Sequence, residues 1–327
     1  MKAAVTTEQH SFDVVEIPDP TPRPDELVIR VAACGVCGSD IKAQPFMPAG
    51  IVMGHELGGE IVAVGSDARG WRAGTNVAVL PVVSCGRCRY CAAGWVSHCA
   101  QCRYIGMGPD GGGFAEFAVV PARHAFALPG EMTDTYAALV EPFAVGLHGV
   151  HSAQVSPGED VLVVGAGGVG LTTIAWARAM GAQRVTAVDP DAQRRESAVA
   201  VGATDVRASA VGADADAYDA ALECVGRPEL LQACQASARP QGRIVISGAC
   251  AEPTPIEPVT ALLKELSIRF SVCYTPDEFR EVIAAFGSGA VDPAPIVGPV
   301  LGLSRIAEAF DLVRGAGVRG RVLVGPE

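Results

Sequence analysis

Through the first half of the chain, apolar and polar residues alternate in short runs: KAAVTT, ELVIRVAA, GGEIVAVG, NVAVLPVV and FAEFAVVP, separated by clusters of Pro, Gly and Asp. Alternation with a period of two, broken by turn residues, predicts short strands and a β-rich first domain. From about residue 158 the pattern changes. The apolar runs DVLVVGAGG, RVTAVD, DAALEC, RIVISG and LSIRFSV now alternate with LTTIAWARAMG, AQRRESAVAVG and ELLQACQASA, whose apolar positions recur at helical spacing. Such alternation predicts a parallel sheet with helices on both faces. Beyond residue 274, PDEFREVIAAFGSG and SRIAEAFDLVRG predict two amphipathic helices before a closing strand, GRVLVG.

Length adds that one core is not enough. The chain has 327 residues, and ordinary domains hold roughly 100 to 200. Apolar residues make up 49% and charged residues 19%, which fits a well-buried globular protein rather than a disordered one. A net charge of −11, with no compensating run of Lys or Arg, excludes nucleic acid and acidic membrane surfaces as expected partners. The opening MKAAVTTEQHSFD turns polar before a signal-peptide core could form, and no apolar run is long enough to span a bilayer. A soluble, cytoplasmic protein is expected. Its thiols then stay reduced, and of eleven cysteines, Cys34, Cys224, Cys234 and Cys250 lie in or beside apolar stretches as small hydrophobes.

In VLVVGAGGVGLTTIAWA an apolar strand runs through Gly165, Gly167, Gly168, Val169 and Gly170 into a helix. Glycines in that place let the backbone approach a pyrophosphate at a helix N-terminus. The next strand ends in AVDPD, with Asp189 nineteen residues beyond Gly170, where an acid accepts hydrogen bonds from a ribose 2′-hydroxyl and repels a 2′-phosphate. NAD is therefore favoured over NADP. Arg194 and Arg195 stand close by, either as a solvated helix face beside the adenosine or as partners for a 2′-phosphate.

The segment CGRCRYCAAGWVSHC places Cys85, Cys88, Cys91 and Cys99 in one loop, with Gly86 and Gly94 free to fold the chain round a tetrahedral ion. Four thiolates fill every position of such a site, so a closed, structural zinc is expected. A bacterial ferredoxin cluster would need its fourth cysteine three residues on and followed by Pro, which is absent here. Cys102 and His98 are read as bystanders.

Three further groups remain: CGVCGSD at 34–40, GHE at 54–56 and VEPFAVGLHG at 140–149. Spacing alone cannot show that they meet. Together with the glycine motif and the cysteine loop, however, they resemble the zinc-dependent medium-chain dehydrogenase/reductase superfamily of alcohol, sorbitol, butanediol and threonine dehydrogenases, over nearly the whole chain. The resemblance implies a GroES-like β-rich catalytic domain over 1–141 and 275–327, joined to a doubly wound Rossmann domain over 142–274. It implies two zinc ions per subunit, NAD, and a homodimer or homotetramer. Cys37 and His55 resemble catalytic zinc ligands, Asp40 the carboxylate that orients the histidine, and Glu56 and Glu141 compete for the remaining position. The implied reaction moves a hydride between the carbinol carbon of a secondary alcohol or diol and the nicotinamide, with Ser39 first in the path of the hydroxyl proton.

Two departures from the family pattern bear on substrate. Lys42 stands where many relatives carry a relay histidine, as a proton carrier, a substrate anchor or an exposed loop lysine. Ala43 and Ser271 replace the tyrosine and arginine of sorbitol dehydrogenases, and the short segment from Lys42 to His55 carries Phe46 and Met47. A smaller or more apolar secondary alcohol than a sugar alcohol is expected. The alternatives are a zinc-free enoyl or quinone reductase of the same superfamily and a catalytically silent nucleotide-binding protein.

Overall fold

The computed structural model describes residues 1–130, 132–212, 214–315 and 317–327. They divide into two compact units. Met1–Glu141, Thr275–Gly289 and Val297–Glu327 form the first, and Pro142–Tyr274 with Ala290–Ile296 the second. Residues 290–296 thus differ from the assignment of all of 275–327 to the first domain. The turn Ala294–Ile296 packs on the helices Gly168–Ala179 and Ala192–Ala200, burying Ile296.

In the first unit the strands Val297–Gly302, Arg321–Gly325, Glu26–Gly35, Glu56–Val64, Asn76–Val79 and Ala125–Ala127 lie side by side in that order. Phe117–Pro121 also pairs with Glu26–Gly35, completing a seven-stranded sheet. All its pairs are antiparallel except the parallel one between Val297–Gly302 and Arg321–Gly325. Leu27, Ile29, Leu57, Ile61, Phe114 and Phe310 are fully buried in its core. The run NVAVLPVV, expected as one strand, forms two, Asn76–Val79 and Val82–Val83, because Pro81 has no N–H to give a ladder.

The second unit is a six-stranded, wholly parallel sheet in the order Asp205–Arg207, Arg184–Val188, Asp160–Val164, Tyr218–Glu223, Ala238–Ile246, Ser267–Phe270. Val163 sits opposite Ala187 on one side and Leu222 on the other, and both neighbours are buried. Covered on both faces, such strands read as continuous apolar runs rather than alternating ones. The longest helix, Asp134–Ser152, gives no amphipathic signal. Its apolar side chains lie on all sides and it contains Pro142. Among the described residues no helix is long and apolar enough to cross a membrane.

His124 lies in the short turn Ala122–His124, is 4% exposed, and has neither ring nitrogen hydrogen-bonded among the described residues. Burial, and then the charges of Arg123 and Arg103, push its pKa from 6.5 down to about 4. The unfolded chain takes up this proton near pH 6.5, while the folded chain refuses it until about pH 4. Stability is therefore lost as the pH falls through that window, and this residue adds nothing further below it. In His124→Leu, urea midpoints measured across the window are expected to decline less than in the parent. Equal slopes would disprove this account.

Candidate active site and dinucleotide cleft

The strand Glu26–Gly35 leads within two residues into the six-residue helix Gly38–Ala43, with Cys37 extended at its N-cap. Antiparallel pairing sets Gly35 opposite Glu56, which brings His55 and Glu56 to the start of that helix. Asp40 is fully buried and ties the parts together. Its Oδ2 accepts the Cys37 N–H at 2.8 Å, and its Oδ1 lies 3.1 Å from His55 Nδ1. This leaves His55 Nε2 facing the site, 3.4 Å from Ser39 Oγ.

Ligand atoms of Cys37, His55 and Glu56 all lie within 4.8 Å of one another. Glu141 is buried but does not join that group, so of the two competing glutamates the fold brings Glu56 to the other two residues. Glu56 is fully buried, and both its oxygens accept from Arg321, Oε2 from Nε at 2.7 Å and Oε1 from Nη2. Burial alone would raise the Cys37 thiol, but the charge of Arg321 and the hydrogen bond and charge of His55 outweigh it and bring its pKa down to about 6. Burial likewise disfavours protonated His55, yet the charge and hydrogen bond of Asp40, joined by Cys37, hold its pKa well above 6.5. A thiolate, an imidazole and a carboxylate converging in a buried spot form a donor set that fits zinc.

Sequence reasoning missed Arg321. Its signal was a single cation in the otherwise apolar strand Arg321–Gly325, where a buried charge demands a partner. Lys42 stands exposed in the last turn of the helix Gly38–Ala43.

Cys85, Cys88, Cys91 and Cys99 also converge within 4.8 Å. The Sγ separations Cys85–Cys91 and Cys88–Cys91 are 3.9 and 3.5 Å. Zn–S bonds of about 2.3 Å place tetrahedral sulfurs about 3.8 Å apart, so the loop fits a zinc ion. Gly86 and Gly94 turn it with φ of +72° and +80°, values costly for other residues. The N–H groups of Cys85 and Gln101 donate to Cys99 Sγ, each at 3.4 Å. Burial raises the Cys91 thiol, but hydrogen bonds with Ser84, Cys88 and the Gly86 backbone lower it to about 6. Cys102 and His98 stand outside the group.

In the second unit, Gly165 has φ +97° after the strand Asp160–Val164, and Gly167 caps the helix Gly168–Ala179. A Cβ on Gly170 would lie 1.8 Å from the Gly165 carbonyl oxygen, so this glycine lets helix and strand close together. Val169, in the first turn, accepts back-bonds through its carbonyl from the Thr172 and Thr173 hydroxyls, both at 2.8 Å. Asp189 is 4% exposed, and its two oxygens accept the N–H groups of Ala166 and Asp191, both at 2.9 Å. Arg194 Nη1 lies 4.0 Å from Asp189 Oδ2, and Arg195 donates to the carbonyls of Asp189 and Pro190. A cavity of about 540 Å³ opens at the C-terminal ends of the central strands, lined in part by Glu223, Arg227, Ser247 and Gly248. That end of an open parallel sheet is where dinucleotides bind.

Comparison with known proteins shows the family to which the chain belongs. The alcohol dehydrogenase GroES-like domain family matches residues 23–130, and the zinc-binding dehydrogenase family matches 168–288. The chain is 30% identical to sorbitol dehydrogenase of Bacillus subtilis (strain 168), over 95% of this chain and 93% of that protein. A structure from Sinorhizobium meliloti 1021 with NADP bound superposes with a TM-score of 0.92, at 32% identity over 99% of both chains. An Escherichia coli CFT073 alcohol dehydrogenase complexed with NADH superposes at 0.91, with 29% identity over 99% of both chains.

Arg321→Ala strands Glu56 as an unpaired buried charge. The variant is expected to lose about 3–5 kcal/mol of stability in urea unfolding. A variant as stable as the parent would contradict the role given to the pair.

Proposed function

Because the chain belongs to the zinc-binding dehydrogenase family of the medium-chain dehydrogenase/reductase superfamily, we propose a zinc-dependent enzyme that exchanges hydride between a secondary alcohol or diol and NAD. The convergence of Cys37, His55 and Glu56 on one buried point carries this reading. A zinc ion held there supplies a Lewis acid that lowers the pKa of an alcohol hydroxyl.

The chain's own residues do the rest. Asp40 fixes the His55 ring by accepting from Nδ1, which keeps Nε2 directed into the site. Ser39 Oγ, 3.4 Å from that nitrogen, is placed to accept the hydroxyl proton as hydride leaves the carbinol carbon. Lys42, on the same helix, is the candidate for handing a proton on to solvent. Arg321 balances Glu56, so the buried site carries one fewer uncompensated negative charge. Asp189 supports NAD: its carboxylate, held by two backbone N–H groups, keeps negative charge where a 2′-phosphate would enter. Ala43 on the helix that Cys37 starts, and Phe46 in the turn that follows it, support a substrate smaller or less polar than a sugar alcohol.

The cysteine loop is read as a structural zinc site. A cytoplasmic setting, where thiols stay reduced, suits both sets of ligands. Assembly into a homo-oligomer is supported by the edge strand Ser267–Phe270 and its surroundings. Val259, Leu262, Leu263, Phe270 and Val272 are each more than half exposed there, an apolar margin beside unpaired backbone groups. Phe270→Asp is expected to lower the sedimentation mass from an oligomer to a monomer, and an unchanged mass would remove this edge from the interface.

Elemental analysis of the purified protein is expected to give close to two zincs per chain. Mild chelation should remove one of them and, with it, NADH formation on a panel of secondary alcohols, with NAD preferred over NADP by about tenfold or more. Activity that survives full loss of zinc would point to the zinc-free reductases, and binding without turnover to a silent protein.

A further inference from the structure

Glu223 ends the strand Tyr218–Glu223 inside the six-stranded sheet and is 2% exposed, yet the hydride-transfer chemistry makes no use of it. Its Oε1 accepts the N–H groups of Val225 at 2.7 Å and Gly226 at 2.8 Å. Its backbone carbonyl accepts those of Ser247 at 2.8 Å and Gly248 at 3.0 Å. One residue therefore ties together two loops, 224–227 and 247–249, each following the C-terminal end of a parallel strand.

The loops touch through glycines. A Cβ on Gly248 would fall 2.1 Å from the Gly226 nitrogen and 2.6 Å from Glu223 Oε2. One on Gly226, whose φ is +84°, would fall 2.3 Å from the Ala249 carbonyl oxygen. Glu223 and residues of both loops line the cavity of about 540 Å³, and the Ser247 hydroxyl at its edge is buried without a hydrogen-bond partner among the described residues.

We propose that Glu223 is a positioning residue for the dinucleotide: its side chain and carbonyl hold two loops against each other to form one wall of the coenzyme cavity. A carboxylate suits this place because it only accepts, so a single oxygen can take two N–H groups without presenting a donor to them. The inference rests on the reading that this cavity receives the nicotinamide dinucleotide.

NADH binding followed by fluorescence tests both steps separately. Zinc-loaded parent enzyme that does not bind NADH refutes the coenzyme reading itself. With binding established, Glu223→Ala is expected to weaken NADH affinity and raise the KM for NAD by about tenfold or more, while kcat at saturating NAD and the KM for alcohol change by less than about twofold. Glu223→Gln retains an oxygen for the two N–H groups and is expected to recover most of that loss. It also decides the matter if the alanine variant does not fold. An alanine variant that binds NADH like the parent, or a glutamine variant that loses NADH binding, overturns the proposal, the second by showing that charge rather than placement matters.

Discussion

A carboxylate with no exposure to water stays ionised only if a positive charge or several donors meet it. Glu56 is such a group, and Arg321 meets both its oxygens. The two are 265 residues apart in sequence, so this buried pair exists only after the C-terminal strand Arg321–Gly325 has docked beside Glu26–Gly35. The same docking places the guanidinium that lowers the Cys37 thiol. Even the backbone gives way to the pair: a Cβ on Gly35 would lie 2.1 Å from Glu56 Oε2. One ion pair therefore couples the docking of this last strand to the arrangement of Cys37, His55 and Glu56.

Several other buried acids follow a second pattern, in which a side chain anchors backbone. Asp40 takes the Cys37 N–H, Asp189 those of Ala166 and Asp191, Glu223 those of Val225 and Gly226, and Asp219 that of Asp160. Each bonded N–H belongs to a strand start, turn or helix start, where the regular ladder leaves donors unfilled. Acids at these points fix loops that helices and strands cannot fix themselves. This explains why so many buried carboxylates coexist in a chain that is already acidic overall.

Much of this was legible in the sequence where a local rule applied. The strand and helix alternation after residue 158, the glycine turn at 165–170 and the cysteine loop all follow from spacing that a short window contains. Asp134–Ser152 escaped because a helix buried on all sides has no polar stripe to betray its period. The strands Phe12–Glu16 and Ala125–Ala127 escaped because short edge elements owe their state to the partners they pair with, not to their own pattern. In the site, Cys37, His55 and Asp40 came from a family likeness, whereas Arg321 and Glu223 needed tertiary contacts. Glu56 lies 265 residues from Arg321, and Glu223, though its side chain takes the nearby Val225 and Gly226, meets Ser247 and Gly248 only once the next strand has paired.

The two proposed zinc sites differ in what the fold does for them. Around Cys37, His55 and Glu56, a sheet register, a capped helix and an ion pair bring the ligands together before any metal arrives. The cysteine loop has little such support: a four-residue helix, Arg89–Ala92, a turn at Val96–His98 and a two-stranded pairing of Val82–Val83 with Arg103–Tyr104. Few of its side chains between 85 and 99 are buried, so apolar packing contributes little to its order. In such a loop the binding energy of a metal substitutes for a core, as in small zinc domains. The first site can afford an open position for substrate because its framework stands on its own, while the second must use all four ligands to hold itself in shape.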